Sequence, residues 1–260
     1  MSMRRWGRWR KRWRYVGAYD ERFMLCAASV GIGPAGETFW AVWDRRERSL
    51  RERTIPAVPL VRPQVELSGA HVRVRSRAVD VDLTIAEGEA IECACRAGDD
   101  AYTWTRKLCG VSAQGTIRIG DVRERFQGTA VDDQSAGYHD RRTSWLWSAG
   151  VGQGRDGRRL AWNLVTGIND PDRNSERAIW VDGVPVEPGP VSFRGLNAIR
   201  FGDGSELTFD SEAGRRRTEG VPLLIHSRYE APFGSFAGSL EGGLELSAGL
   251  GVMERHDALW

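Results

Sequence analysis

Long apolar runs are what this chain most plainly lacks: no stretch approaches the roughly 18 residues a membrane-spanning helix requires, so a helical membrane protein is excluded. Lysine is nearly absent too, Lys11 and Lys107 being the two exceptions among 37 basic residues. Arginine makes planar, bidentate contacts, yet the bias is equally that of a GC-rich genome, and 35 acidic residues leave a net charge of +2. Overall charge therefore gives no case for a nucleic-acid partner. The four cysteines, Cys26, Cys93, Cys95 and Cys109, include no C-x-x-C pair, so buried reduced thiols are expected in preference to a zinc knuckle or a disulfide framework. There is no G-x-S-x-G elbow and no phosphate loop, and the glycines of "GVGQGRDG" at 150–157 sit in a hairpin context, not between a strand and a helix. No nucleotide cofactor is expected.

Helical periodicity is missing as well, and short β-like segments punctuated by turns take its place. Val72 and Val74 alternate with Arg73 and Arg75, and Val79, Val81 and Leu83 with Asp80 and Asp82, the pattern of strands with one wet face. The prolines of "IPAVPLVRPQ" at 55–64 predict an edge segment or crossing loop. Asp182-Gly183 between apolar arms predicts a two-residue hairpin with a primed turn. The fold class is all-β. A boundary near 125, just before "FQGTAVDDQSAGY", divides the chain into a basic tail (1–11) and two β-modules (12–125 and 126–260).

The start, "MSMRRWGRWRKRWRYVG", is basic but carries no apolar stretch of a secretory signal, so a cytoplasmic location is expected. Trp6, Trp9 and Trp13 fall at i, i+3 and i+7 among seven cations, as in an amphipathic helix lying on a membrane surface. The other reading is a basic tail running into a strand in which Trp13 and Tyr15 share a face; this reading is preferred, with weak membrane-surface contact as the alternative.

"QGTAVDDQSAGYHDRRTSWLWSAG" at 127–150, followed by "LAWNLVTG", "AIWVDGVPVEP" and "VSFR", resembles the central region of the lipocalin-like proteins that include carotenoid 1,2-hydratases, AttH-type proteins and, more distantly, tocopherol cyclases. The start "KRWRYVGAYDERFMLCAASVGIG", with "TFWAVWD" and the ending "FGSFAGSLEGG…GLGVMERHDALW", is similar to the DUF2804 proteins. The resemblance implies two tandem lipocalin-like antiparallel β-barrel modules that meet along a shared, largely apolar cavity. Gly128, Asp133, Gly137, Trp145 and Trp147 match the hydratase motif, whereas Gln134 stands where that motif has histidine and Ser135 where it has asparagine.

Adding water to an isolated alkene, or cyclising it, requires a strong proton donor in a dry pocket and a means of stabilising a carbocation. A desolvated carboxylic acid can remain protonated near neutrality, and aromatic faces attract cations. Asp133 is the candidate acid, with Asp132 on the opposite face of an extended segment. Asp132 and Asp133 also suit a turn, where they would only hold backbone amides. In "GVMERHDALW", Glu254 and His256 share a face with Trp260 and form a second candidate pair. Tyr138 and His139 are candidate assistants. Gln134, Arg142, Trp145, Trp147, Trp162, Asn163, Trp180 and His226 complete the expected ligand wall. No metal is expected, because Glu254 and His256 would have only His226 to join them. The functional expectation is binding of a hydrophobic small molecule (a lipid, isoprenoid or polyketide), with acid-initiated hydration, cyclisation or isomerisation; the alternative is a non-catalytic carrier or a peripheral membrane protein.

Overall fold

The computed structural model describes residues 2–5, 7–57, 63–97, 101–221 and 225–259, without the side chains of 219, 221 and 225. Trp6 and Trp260 lie outside the described residues, within which every regular element is a strand and no helix is long and apolar enough to cross a membrane. A small hairpin, β1 (Arg4–Arg5) and β2 (Arg8–Trp9), stands where the tryptophan spacing admitted an amphipathic helix; Gly7 at its turn takes a φ of 74°, which glycine alone adopts without cost.

The first sheet is built from β3 (Lys11–Tyr19), β4 (Phe23–Ile32), β5 (Ala35–Asp44), β6 (Ser49–Pro56), β7 (Val65–Ser68), β8 (His71–Arg75), β9 (Val79–Ile85), β10 (Ile91–Arg96), β11 (Tyr102–Ile119) and β12 (Val122–Gly137). Its order is β6-β5-β4-β3-β12-β11-β9-β8-β7, with β10 on the free part of β11. Of the stretch 55–64 expected to be an edge segment or crossing loop, Ile55 and Pro56 end β6, an edge strand of the sheet, and residues 58–62 lie outside the described residues.

The second sheet holds β13 (Arg142–Gly154), β14 (Arg159–Thr166), β15 (Ala178–Val181), β16 (Val184–Val186), β17 (Ser192–Phe193), β18 (Ala198–Arg200), β19 (Glu206–Val221), β20 (Ile225–Leu240) and β21 (Leu244–Leu259). Its order, β16-β15-β14-β13-β21-β20-β19-β18-β17, repeats that of the first sheet strand for strand if β10 is set aside. Asp182 and Gly183 both take positive φ, 53° and 91°, between the paired Val181 and Val184, and make the predicted primed turn.

The change of sheet comes at 138–141, not at the expected 125, which falls inside β12. "FQGTAVDDQSAG" reads as a turn because it is rich in glycine and aspartate, but it is a central strand paired with β11 on one side and β3 on the other. Its glycines permit close approach instead of bending: a Cβ on Gly128 would lie 2.2 Å from the Tyr19 carbonyl oxygen. Residues 102–119 likewise form the single strand β11, which absorbs Gly110 (φ 82°) as a bulge.

Three cores result. Val16, Ala18, Leu25 and Val42 face β7–β9 inside the first sheet, which folds back so that β7 packs over β4 and β5. Trp162, Ile199, Leu207, Phe236 and Met253 fill the second sheet. The alternate residues, Tyr15, Tyr19, Met24, Phe39 and Trp43 on one side and Trp147, Trp180, Phe233 and Val252 on the other, form a core between the sheets. Burial of both faces by each central strand explains the near-continuous apolar runs of β4 and β14.

Candidate functional site

Between the sheets lies a cavity of about 630 Å³ with mostly apolar walls, lined by Trp13, Phe39, Trp145, Trp147 and Tyr229 among others. Register carries side chains to it in two rows. Lys107, Asp133 and Tyr15 are cross-strand neighbours on β11, β12 and β3. Trp145, His256 and Tyr229 are neighbours on β13, β21 and β20, with Trp147 opposite Glu254 in the next row. Directly opposed residues on one face lie close enough for side chains to touch, and here they do: the His256 ring centroid is 4.4 Å from that of Trp145 and 5.4 Å from that of Tyr229. Trp13 extends the stack, 6.2 Å from Trp145 and nearly parallel to it, while Tyr15 meets Trp147 edge-on at 5.4 Å.

The first row is ionic. Lys107 Nζ lies 2.6 Å from Asp133 Oδ1 and 3.3 Å from Glu176 Oε2, and all three residues are buried. Burial alone would lower the Lys107 ammonium, but the two carboxylates more than offset it and hold it above its ordinary value. Glu176 reaches the cavity from the loop between β14 and β15, whose shape is fixed by hydrogen bonds within it and to Glu187. The Arg177 guanidinium donates to the carbonyls of Asp170 and Pro171, and Glu187 accepts from the amides of Asn174 and Ser175. Asn169 Nδ2 donates to Glu176 Oε2 at 2.8 Å, and Asn163 bridges the Glu176 carbonyl to the Trp147 indole. Burial still leaves the Glu176 carboxyl above its usual range, with Lys107 opposing the shift.

Among the described residues no cation bonds Glu254. It is buried, its Oε1 accepts from Trp145 Nε1 at 2.8 Å, and the Tyr229 hydroxyl bonds it as well. Burial pushes this carboxyl up to about 7 despite the two donors, so near neutrality it is poised between its acid and base forms. His256, bonded to the Ser227 hydroxyl at 2.9 Å, is driven the other way by burial, down to about 4. It therefore faces the cavity as a neutral ring at pH 7. Arg215 closes one wall, its guanidinium 4.1 Å from the Phe39 ring centroid and bonded to Glu52 and Thr54. The donor set suits no tightly held metal, and among the described residues no cluster of three histidine, cysteine or acidic side chains could hold one.

Residues 62–260 match the family model described as "Domain of unknown function (DUF2804)". The chain belongs to the DUF2804 family. No curated protein matches it in sequence. Among solved structures, this DUF2804 chain is similar to an AttH-like protein from Nitrosomonas europaea, at 14% identity and a TM-score of 0.56, over 95% of this chain and 92% of that one. It is also similar to kievitone hydratase from Nectria haematococca, at 8% identity and a TM-score of 0.51, over 96% of this chain and 88% of that one. CghA follows at 11% identity and a TM-score of 0.50, with the same coverage. These likenesses establish the lipocalin-like all-β fold, with its two curled sheets.

Within the DUF2804 chain the expected site residues divide. Asp133, Trp145, Trp147, Glu254 and His256 converge on the cavity. Asp132 points to the other face of β12, as alternation required, and pairs with Arg14 at 2.8 Å. Gln134 follows it to that face and donates to its carboxylate, and Ser135, the other position that departs from the hydratase motif, donates to the Trp104 carbonyl, so neither departure lines the cavity. Tyr138 is buried at the junction of the sheets and bonds Ser2. His139 is buried behind Trp13, 4.9 Å between ring centroids, with neither ring nitrogen bonded. Neither lines the cavity, because β12 ends at Gly137 and the chain turns away. Arg142 is 78% exposed and lies near Asp257. Trp162 belongs to the second sheet's own core, Trp180 donates to the Glu89 carbonyl, and Asn163 supports Trp147 from behind. His226 is outside the lining. Lys11, Lys107, Glu176, Tyr15 and Tyr229 were not anticipated as site residues. The signal for two of them was the shortage of lysine, since both lysines of the chain line the cavity. Lys11 is held there by the Asp140 carbonyl at 2.9 Å and lowered by burial to about 7.

Proposed function

We propose that the protein binds a hydrophobic small molecule with one polar group in the cavity between its two sheets, and that Glu254 donates a proton to it. A largely apolar lining of this size accommodates a compact isoprenoid, lipid or polyketide body. The ion-paired floor supplies a fixed polar end. The observation that carries the catalytic part is the Glu254 carboxyl, buried among aromatic rings and raised to about 7. Asp133, the candidate from its motif, has an ammonium at 2.6 Å and serves better as a fixed negative charge than as an acid.

In a hydration, the Glu254 proton would bond to one alkene carbon and leave a carbocation on the next, facing the rings of Trp145 and Trp147. A water would add to that carbon and return its extra proton to the Glu254 carboxylate, so that one water is consumed and the acid is regenerated. In a cyclisation or isomerisation, an internal alkene or proton loss would discharge the same cation. That structural neighbours include a hydratase supports this reading at the level of fold.

Parent protein and Glu254→Gln are prepared from the same cells and their bound small molecules extracted for mass spectrometry. Retention of a precursor in the variant and of its hydrated or rearranged product in the parent is the expected result. The same molecule in both proteins removes the proton transfer and leaves a carrier, a reading favoured by the ion-paired Lys107, Asp133 and Glu176 floor.

A further inference from the structure

Apolar ligands reach a buried cavity from somewhere, and the surface around this cavity's mouth has a distinct chemistry. The lining comes to the surface at Trp9 and at the β4–β5 turn, where Pro34 and Ala35 are exposed. Trp9 packs over Gly33 of that turn, and the Gly33 amide donates to the Arg10 carbonyl at 2.9 Å. Met3 and Trp9 are 54% and 42% exposed, two of the few large apolar side chains outside the cores. Around them are exposed Arg4, Arg5 and Arg12, with Arg4 5.3 Å from the Trp9 ring centroid and Arg12 lying across Gly31. No acidic residue precedes Asp20.

The hairpin carrying this patch is also anchored. Arg8 donates to the carbonyls of Ala97 and Tyr138 and pairs with Asp140 at 2.8 Å, and Ser2 bonds Tyr138. The patch is thus a fixed feature of the cavity rim, with its apolar centre and cationic border already assembled.

We propose that the β1–β2 hairpin and the β4–β5 turn dock on an anionic lipid bilayer surface, so that the cavity opens onto the membrane from which its ligand is taken. Exposed tryptophan and methionine enter the headgroup region while arginines meet anionic lipids. This inference rests on the apolar-ligand reading above, but its test does not require the ligand. The patch is formed by a hairpin and a turn, not by one face of a helix, so Trp13 takes no part in it; that ring is committed to Trp145 and His139 inside.

The experiment is flotation of the full-length protein with vesicles of phosphatidylcholine alone or with about one third phosphatidylglycerol. Flotation with the anionic vesicles only, weakening with salt, is expected. The Arg4→Glu, Arg5→Glu, Arg12→Glu triple variant should bind about 100-fold more weakly, and Trp9→Ala should bind more weakly than the parent. Near-ultraviolet circular dichroism and binding of 1-aminoanthracene in solution verify that the triple variant is folded with its cavity intact, and chemical denaturation verifies the fold of Trp9→Ala, because the Trp9 ring itself lines the mouth. Absence of flotation, equal flotation with both vesicles, or undiminished binding by the triple variant overturns the docking, as does tighter binding to single-stranded DNA than to the anionic vesicles. A cavity that binds the dye in a protein that does not float would leave the ligand reading standing.

Discussion

The row Lys107–Asp133–Tyr15 crosses β11, β12 and β3; the row Tyr229–His256–Trp145 crosses β20, β21 and β13, the strands holding the same places in the second sheet. One row became an ion pair with a phenol and the other a stack of rings. Topology decides which positions face the shared space. The residues placed there decide what the space can do, and neither sheet alone supplies both the charged floor and the aromatic wall. Glu176 ties the two, crossing from the second sheet's loop to the first sheet's lysine.

Breaking the ionic row should have the largest effect. Lys107→Ala would leave Asp133 and Glu176 buried without their cation and cost about 3–5 kcal/mol, measured by chemical denaturation at pH 7; a loss below about 1 kcal/mol would make the row a wet surface pair. The second sheet's carboxyl should respond oppositely. Glu254 takes its proton more readily in the folded protein, so its contribution is fully present below the unfolded value, near 4.5, and is lost as pH rises through about 7. Glu254→Gln should therefore gain up to about 3 kcal/mol over the parent at pH 8 and nothing at pH 4.

At the seam between the sheets, burial lowers His139 to about 3, with Lys11 and Lys107 contributing. The stability it contributes is present above pH 6.5 and is lost as pH falls towards the folded value. Between pH 7.5 and 5.5 that loss is about 1 kcal/mol, and His139→Phe should remove it and keep the ring against Trp13. His256 follows the same sign, and Glu254 opposes it over the same window. Outside both rows, Arg142→Ala should change stability by no more than about 0.5 kcal/mol.

Alternation made the fold legible wherever one strand face is wet, as in β8 and β9, and turn chemistry located the Asp182-Gly183 hairpin. It misled at β12, where glycines that allow strands to approach look identical to glycines that allow a chain to turn. Within the site, Asp133, Glu254 and the paired tryptophans were readable because they lie on regular strands with a period of two. Lys107 was hidden by its solitude in the sequence: nothing near it in the chain announces Asp133 or Glu176, which come to it by register and by a loop closing from the other sheet. Tyr138 and His139 were over-read because proximity in sequence to Asp133 does not survive the end of the strand at Gly137.

Titration with 1-aminoanthracene shows whether the space between the sheets takes an apolar ligand. Val30 lines the cavity and Val184 is 54% exposed elsewhere. The parent and Val184→Trp should bind the dye alike, while Val30→Trp, with its indole filling the space, should lose at least about tenfold in affinity with an unchanged circular dichroism spectrum. Equal binding by all three proteins would place the dye, and the function, somewhere else.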